Sequence, residues 1–328
     1  MKTALVTGGA GYIGSHCLKP LKAEGWDVVV VDNLSTGHKK AAAGFKLETG
    51  DIGDPDFLDK IFSSYSISAV LHFAASAYVG ESVENPAKYY RNNVVNGLNL
   101  LTSMLRNDVK DLIFSSTCAT YGNPTEIPIT ENHSQNPVNP YGYTKMVFER
   151  MAIDLARSSG LRPVFLRYFN AAGASDDGLI GEDHDPEAHL IPLTIATALG
   201  SRGELTIFGD DYPTNDGTCV RDYIHISDLA DAHMLALEYL QNGGEPTAFN
   251  LGNGEGYSVR QVIETVEKVS GKPVKVKMGA RREGDPPALI GSAEKARKVL
   301  GWLPKFPDLE SIVRTAYKWH ETNPNGYS

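Results

Sequence analysis

A tyrosine and a lysine four residues apart, Tyr141 and Lys145, are the side chains of this sequence best placed to move a proton. They follow Asn139-Pro140, and apolar residues recur after them at helical spacing, which predicts a helix. Positions four apart lie on one face of a helix, so the phenol and the ammonium are neighbours. An ammonium beside a phenol favours the phenolate and lowers its pKa from about 10. The pair is a candidate proton-transfer device, although such pairs also arise on helices by chance.

A second candidate lies on the strand that precedes this helix. The predicted strand at 111–115 ends in Ser115-Ser116-Thr117, and hydroxyls at the end of a parallel strand face the ligand crevice. Thr117, Tyr141 and Lys145 together would form a proton-handling triad. Cys118 could be a nucleophile instead, but no histidine is placed to activate it, so we interpret it as a structural residue.

A glycine-rich turn near the start predicts a dinucleotide site. Gly8, Gly11 and Gly14 follow a buried-strand pattern and open a predicted helix, which lets backbone N–H groups approach a pyrophosphate. A valine-rich strand follows and ends in Asp32, where a carboxylate accepts ribose hydroxyls. A 2′-phosphate would meet that charge, so the pattern predicts NAD rather than NADP. The alternatives are a turn without a ligand and an Asp32 that only caps the loop after it.

These residues need a scaffold of alternating strands and helices. Further strands are predicted at 45–49 and 69–73, with helices at 55–63 and 86–105. The order predicts an α/β fold with a doubly wound parallel sheet of the Rossmann type. His72, at the end of one strand, is interpreted as a core residue because no partner has ligand spacing.

The pattern changes after Asn170, where loops lengthen and strands become short. We therefore expect an NAD-binding domain over 1–170 and a smaller α/β substrate-binding domain over 171–328. Residues 227–252 are candidates to return to the first domain.

Composition limits the classes of function. The chain has 328 residues, a net charge of −9 and 41% hydrophobic residues, which is ordinary for a globular protein and does not invite nucleic acid or an anionic membrane. No apolar stretch approaches the roughly 20 residues of a membrane span. The three cysteines are widely spaced, so we expect no disulfide framework, no metal site and a reduced, cytoplasmic environment.

The motifs together resemble the extended short-chain dehydrogenase/reductases, and among them most closely the UDP-glucose (UDP-galactose) 4-epimerase family. The resemblance covers nearly the whole chain and includes the glycine turn, Tyr141-x-x-x-Lys145, Arg167-Tyr168-Phe169-Asn170, Val220-Arg221-Asp222 and Arg281-Arg282-x-Gly284-Asp285. It implies reversible oxidation at C4 of a UDP-hexose, with transient hydride transfer to tightly bound NAD, and a homodimer that pairs through the helices near 86–105 and 141–157.

The resemblance also implies site residues. Thr117, Tyr141 and Lys145 would be catalytic. The cofactor would contact Gly8, Gly11, Tyr12, Ile13, Gly14, Asp32, Asn33, Ser35, Thr36, Gly37, Asp51, Ile52, Phe73, Ala74, Ala75, Asn92, Ser115, Tyr141, Lys145 and Tyr168. The UDP-sugar would contact Thr117, Asn170, His189, Leu190, Thr206, Phe208, Arg221, Arg282, Asp285 and Leu289.

Three positions depart from the family pattern. Thr117 replaces a common Ser and keeps the hydroxyl, and His189 replaces Asn and keeps a hydrogen-bond donor. Leu289 replaces a bulky Tyr that limits the room around the sugar 2-position in some members. The smaller residue leaves UDP-N-acetylhexosamines open as substrates.

The residues by themselves are compatible with other activities on the same fold. A nucleotide-sugar 4,6-dehydratase would need an acid pair after Thr117, where this chain has Cys118-Ala119. An epimerase for UDP-glucuronate or UDP-pentoses would differ only in the sugar pocket. A simple dehydrogenase would release NADH, and a dinucleotide-sensing regulator would have no need of the intact triad.

Overall fold

The computed structural model describes residues 2–282 and 285–328; Gly284 of the Arg281–Asp285 block lies outside them. Within these residues seven strands form one parallel sheet in the order β11-β6-β5-β4-β1-β2-β3. Its strands are β1 (Thr3–Thr7), β2 (Asp27–Asp32), β3 (Lys46–Thr49), β4 (Ile67–His72), β5 (Asp111–Thr117), β6 (Arg162–Tyr168) and β11 (Thr247–Leu251). The Rossmann-type doubly wound sheet predicted from the sequence is confirmed.

Shorter strands follow in the second half of the chain. They are β7 (Asn170–Ala172), β8 (Leu205–Phe208), β9 (Val220–Arg221), β10 (Tyr223–His225), β12 (Tyr257–Ser258), β13 (Val276–Gly279) and β14 (Ala288–Leu289). They form small sheets in the orders β10-β7, β12-β9-β14 and β13-β8.

The described residues form eleven α-helices, some of which cover both faces of the main sheet. They are α1 (Tyr12–Ala23), α2 (Pro55–Ser64), α3 (Val79–Glu84), α4 (Pro86–Tyr89), α5 (Asn96–Arg106), α6 (Pro140–Ser159), α7 (Leu190–Leu199), α8 (Ile226–Gln241), α9 (Val259–Ser270), α10 (Glu294–Leu300) and α11 (Leu309–Thr322). A π-helical segment, Tyr90–Val95, joins α4 to α5. In the described ranges no helix combines the length and apolar character that crossing a membrane requires.

The core explains why the sheet strands read as nearly continuous apolar runs. All positions of β1 and β5 are buried, as expected for a parallel sheet covered on both faces. One apolar cluster packs between the sheet and helices α1 and α8, and another lies on the opposite face with α2, α5 and α6. The carboxyl ends of the strands are therefore held rigidly at one edge of the sheet.

A third apolar cluster lies in the second half of the chain. It is built from α7, α9 and α11 together with β8 and β10. Helix α8 and strand β11 are exceptions, because they pack on and extend the main sheet. The chain thus leaves the Rossmann sheet after β6 and returns to it with α8 and β11, within its last third.

Candidate active site

Strand β5 and helix α6 bring the predicted triad together. Asn139 caps α6 by accepting a hydrogen bond from the backbone N–H of Gly142 at 2.9 Å, and Pro140 occupies the first turn. Gly142 lies against the end of β5, because a Cβ at this position would stand 2.5 Å from the carbonyl oxygen of Ala119. This close approach places the phenol of Tyr141 within hydrogen-bonding reach of the Thr117 hydroxyl.

Lys145 lies one turn further along α6, as its spacing predicts. Its Nζ donates to the carbonyl oxygen of Ser115 at 2.7 Å and lies 5.9 Å from the centroid of the Tyr141 ring. The Ser115 hydroxyl in turn shares a hydrogen bond with Tyr168. Four of the expected site residues therefore meet at the carboxyl ends of β5 and β6.

Burial controls the titration of the pair. It raises the pKa of Tyr141 to about 12, and the hydrogen bond from Thr117 opposes this only in part. Burial also lowers the pKa of Lys145 to about 7, against the attraction of Glu149. In the protein by itself the phenol of Tyr141 is therefore protonated at neutral pH, and the lowering of its pKa by Lys145 stays a prediction for the protein with bound cofactor.

Two residues that sequence reasoning missed support the triad. Glu149, one turn after Lys145, binds the guanidinium of Arg167 through both carboxylate oxygens, at 2.9 and 2.5 Å, and accepts a hydrogen bond from Ser116 at 2.5 Å. Asn93 donates to the Thr144 hydroxyl at 2.9 Å and to the carbonyl oxygen of Ser76 at 3.0 Å. The four-residue spacing from Lys145 could have indicated Glu149, whereas no local sequence pattern indicates Asn93.

The glycine turn forms a cradle without side chains. Gly8 has φ +73°, and a Cβ there would stand 2.5 Å from the backbone nitrogen of Ala74. Gly11 precedes the first turn of α1, and Gly14 is packed against the backbone of Gly8. Backbone N–H groups at this helix start are therefore open to an anion, which fits a dinucleotide pyrophosphate.

Asp32 closes the other side of the cradle at the end of β2. Its carboxylate accepts backbone hydrogen bonds from Ala10 at 3.0 Å and Leu34 at 2.8 Å. Burial raises its pKa, while these two hydrogen bonds act in the opposite direction. Asp32 therefore caps the loop after it, which was the alternative to a cofactor contact. Its carboxylate also faces Gly37, where an added Cβ would stand 2.9 Å from the nearest carboxylate oxygen. The position fits an acceptor of ribose hydroxyls.

The remaining expected cofactor residues line the same edge of the sheet. Asn33 donates to Asp51 at 2.9 Å, which joins the loops after β2 and β3. Phe73 and Ala74 follow β4, and both backbone N–H groups donate to Thr7. Among the others, Tyr12 and Ile13 begin α1 and Asn92 lies in the π-helical segment. The rest lie in loops or turns: Ser35, Thr36, Ile52 and Ala75.

Cationic residues expected to hold a diphosphate lie on the small sheets. Arg221, on β9, is paired with Asp285. The guanidinium of Arg282 stacks 4.2 Å from the ring centroid of Phe208, at the end of β8, and Thr206 lies on the same strand. The structure thus gathers these residues, and one of the two arginines has a carboxylate partner.

Leu289 and Asn170, two expected substrate contacts, lie beside strand β9 and the residue that follows it. Leu289, on β14, is registered with Arg221 and packs on the apolar cluster that also contacts Cys118, the residue after Thr117. Asn170 donates from its amide to the backbone carbonyl of Asp222 at 2.9 Å.

His189, an expected substrate contact, lies beside two carboxylates with its side chain 47% exposed, and its contact with the substrate stays a prediction. It caps α7 just before Leu190, and its Nδ1 lies 2.7 Å from Glu182 and 2.9 Å from Glu187. His184 contacts the same two carboxylates at 3.2 and 3.5 Å. Despite burial, which acts in the opposite direction, these carboxylates raise the pKa of His189 to about 10 and that of His184 to about 9. The ring of His189 is committed to a cluster of four titratable groups.

Cys118 and His72 are held in inert environments. Burial raises the pKa of Cys118 to about 12, so its thiol stays protonated at neutral pH. His72 is buried, its Nδ1 shares a hydrogen bond with the Thr7 hydroxyl at 2.7 Å, and burial lowers its pKa to about 3. Both agree with the interpretation that neither residue is a nucleophile or a metal ligand.

Comparison with known proteins places this arrangement among characterised relatives. A model of the "NAD dependent epimerase/dehydratase family" matches residues 4–252. The chain is 53% identical to a UDP-glucose 4-epimerase of Halalkalibacterium halodurans, over 99% of this chain and 97% of that protein.

Solved structures agree with the sequence comparison. The UDP-glucose 4-epimerase from Brucella ovis, solved in complex with NAD, superimposes with a TM-score of 0.94 at 51% identity, over 97% of this chain and 98% of that one. The enzyme from Bifidobacterium longum, solved with NAD+ and UDP, has a TM-score of 0.94 at 39% identity, over 99% and 100% of the two chains.

Proposed function

The chain belongs to the NAD dependent epimerase/dehydratase family, and from that premise we propose that it interconverts UDP-glucose and UDP-galactose. It is an NAD-dependent epimerase. The observation that carries the proposal is the meeting of Thr117, Tyr141 and Lys145 at the end of β5, beside the glycine cradle. Positions 118 and 119, which would carry an acid pair in a 4,6-dehydratase, hold Cys and Ala.

Each residue of the triad has a distinct part in the reaction. Tyr141 accepts the proton of the sugar 4-hydroxyl and returns it, while Thr117 donates a hydrogen bond to the same oxygen. Lys145 holds the cofactor ribose and, as an ammonium, favours the ionised phenol. Bound NAD supplies a reversible hydride acceptor for C4.

The nucleotide end of the substrate anchors the reaction. We assign Arg221 and Arg282 to the diphosphate, with Phe208 and Thr206 beside the uridine. Binding energy then lies away from C4, and the oxidised sugar can turn over without leaving the protein. The support is that these side chains converge at the small sheets, with Leu289 reaching from there towards Thr117.

The test is isotopic and uses the purified protein without added NAD. UDP-glucose carrying deuterium at C4 is incubated, and the products are separated and weighed by mass spectrometry. We expect UDP-galactose that keeps the deuterium, because the same hydride returns to the carbon it left. Loss of deuterium to solvent, or accumulation of free NADH, would contradict the proposal and favour a dehydrogenase.

A second candidate is an epimerase that also accepts UDP-N-acetylhexosamines. The observation that favours it is the half-buried Leu289 near Cys118, where a larger ring would restrict the sugar 2-position. Leu289→Tyr is expected to reduce turnover of UDP-N-acetylglucosamine by roughly tenfold or more while sparing UDP-glucose, since steric discrimination of this kind is worth about 1–3 kcal/mol. Equal effects on both substrates would remove Leu289 as the gate.

The assembly and location are also proposals. Exposed apolar side chains on the π-helical segment, α5 and α6 support a homodimer: Tyr90, Val95, Leu98 and Tyr143 are between 40% and 49% exposed. We place the protein in the cytoplasm, supported by three cysteines that are all free.

The division into domains follows the same logic. We propose an NAD-binding domain over 1–170 and a UDP-sugar-binding domain over 171–328, with 227–252 belonging to the first. The separate apolar cluster of α7, α9 and α11, and the return of β11 to the main sheet, support this division.

A further inference from the structure

Four side chains between β7 and α7 converge outside the triad and the glycine cradle. This cluster, the 182–189 cluster, consists of Glu182, His184, Glu187 and His189, and one ligand atom from each lies within 4.8 Å of all the others. The closest approaches run from 2.7 to 3.5 Å. In a tetrahedral zinc site with bonds of about 2.1 Å, neighbouring ligand atoms are about 3.4 Å apart, so the cluster already has nearly the right size.

Ion pairs hold the cluster together in the protein by itself, but their geometry is poor. Glu182 is only 3% exposed, and its Oε1 lies 2.7 Å from the Nδ1 of His189 and 3.2 Å from the Nδ1 of His184, without a well-aligned hydrogen bond to either ring. The Nδ1 of His189 is within hydrogen-bonding geometry of Glu187 instead. A buried carboxylate without well-directed partners is costly unless another group compensates it.

A divalent cation at the centre of the cluster would give Glu182 Oε1 and His184 Nδ1 a well-directed partner in place of these misaligned ion pairs. Two carboxylates balance its charge, and two imidazoles and two carboxylates are a ligand set suited to zinc and its neighbours among the transition metals. Four protein ligands leave no open coordination position, which is typical of a structural rather than a catalytic ion.

We propose that the 182–189 cluster holds one divalent transition-metal ion, Zn²⁺ by its ligand set, as a structural site. We expected no metal from the cysteine spacing, but the Glu-x-His-x-x-Glu-x-His spacing of these residues is a signal for one in the sequence.

The position of the cluster suggests what the ion does. His189 caps α7, and the His184 ring lies edge-on to Tyr12 of the glycine turn and to Tyr78 of the loop after β4, at 6.1 and 6.0 Å. The ion ties the segment before α7 into a rigid loop that packs on the first turn of α1. It thereby stabilises the contact between the cofactor cradle and the second half of the chain.

Metal content is the direct test. The full-length protein is purified without a histidine tag, dialysed against metal-free buffer and analysed by inductively coupled plasma mass spectrometry. We expect about one zinc per chain in the wild type, and a loss of most of it in His184→Ala and Glu182→Gln. His133→Ala is the matched control, because His133 is half-buried and bonded to Thr125 outside the cluster, and it should keep the wild-type metal content.

Two further measurements keep the test decisive if a variant fails to fold. Cobalt added to chelator-treated wild type should give the visible absorption of a tetrahedral site, and the chelator should lower the melting temperature until zinc is restored. No metal, no cobalt band and an unchanged melting temperature would overturn the proposal and leave an ion-pair network of protonated imidazoles. Equal metal in His184→Ala and wild type would also overturn it.

Discussion

Tyr141 is a buried phenol whose ionisation must be arranged by its neighbours. Burial is the main reason that its pKa is raised to about 12, and within the described residues Thr117 is the main group that opposes this. The pKa of Lys145 is lowered to about 7, so near neutral pH it is only partly an ammonium. The pair therefore becomes an effective base when further positive charge and ribose hydroxyls surround it, as bound NAD would provide.

Replacing Tyr141 by Phe tests the proton transfer at this scale. We expect turnover of UDP-galactose to fall by roughly 10²- to 10⁴-fold, the usual contribution of a general acid–base group. NAD should remain bound, measured as nucleotide released on denaturation. Tyr143→Phe, on the exposed side of the same helix, is the control and should retain normal turnover. Near-normal turnover of Tyr141→Phe with NAD still bound would refute the role.

The cysteines give a prediction that depends on pH. Burial raises the pKa of Cys118 to about 12 from an ordinary value of 9.0, so the reactive thiolate is scarce in the folded protein until the pH approaches 12. At pH 8 we expect iodoacetamide to modify Cys118 at least tenfold more slowly in the native protein than in urea, measured by peptide mass spectrometry. Rapid native modification would reopen the interpretation of Cys118 as a nucleophile.

At the scale of elements, the site depends on how closely α6 approaches the end of β5. Phe148 of α6 stacks on Phe114 of β5 with ring centroids 4.0 Å apart, and Gly142 removes the side chain that would separate the two elements. Asn93, in the π-helical segment, ties the same helix to the loop after β4. These contacts, rather than any catalytic group, set the distance from Thr117 to Tyr141.

Gly142→Ala therefore should reduce activity without removing a functional group. The added Cβ would meet the carbonyl oxygen of Ala119 and shift the start of α6, and misplacement of about 1 Å can cost roughly 10²-fold in rate. We expect kcat to fall by about 10- to 100-fold with the fold retained by circular dichroism. Gly80→Ala is the control, since a Cβ at this helical position meets nothing within 4 Å. A wild-type kcat for Gly142→Ala would show that the site tolerates a larger separation between α6 and the end of β5.

At the scale of the whole molecule, an acidic chain must hold an anionic nucleotide. The net charge is −9, so the general field repels a diphosphate. Local features answer this: the open N–H groups of the glycine turn and the arginines on the small sheets. The glycine turn and these arginines both lie near the edge of the main sheet where the carboxyl ends of its strands meet. The two halves of the chain therefore contribute anion-binding groups to the same region.

The proposed homodimer makes a prediction at this scale. Leu98 is 43% exposed on the apolar surface of α5, and a buried charge at the centre of an interface is strongly unfavourable. We expect the wild type to be dimeric and Leu98→Glu monomeric by size-exclusion chromatography with light scattering. Val299→Glu, at an equally exposed apolar residue on α10, should stay dimeric. A monomeric wild type would contradict the assembly.

Local patterns determined much of this protein. The parallel sheet, the glycine turn with Asp32, and the Tyr141–Lys145 pair could be predicted from the sequence because each depends on residues close together in the chain. Helical and strand periodicities of this kind do not need the rest of the fold.

Only the tertiary structure decided how separate segments meet. It set the approach of Thr117 to Tyr141 across Gly142, the return of β11 to the sheet, and the pKa of the buried phenol. It also brought His189, an expected substrate contact, beside two carboxylates. These contacts and pKa values depend on many residues that are far apart in the sequence, so no local sequence pattern can predict them.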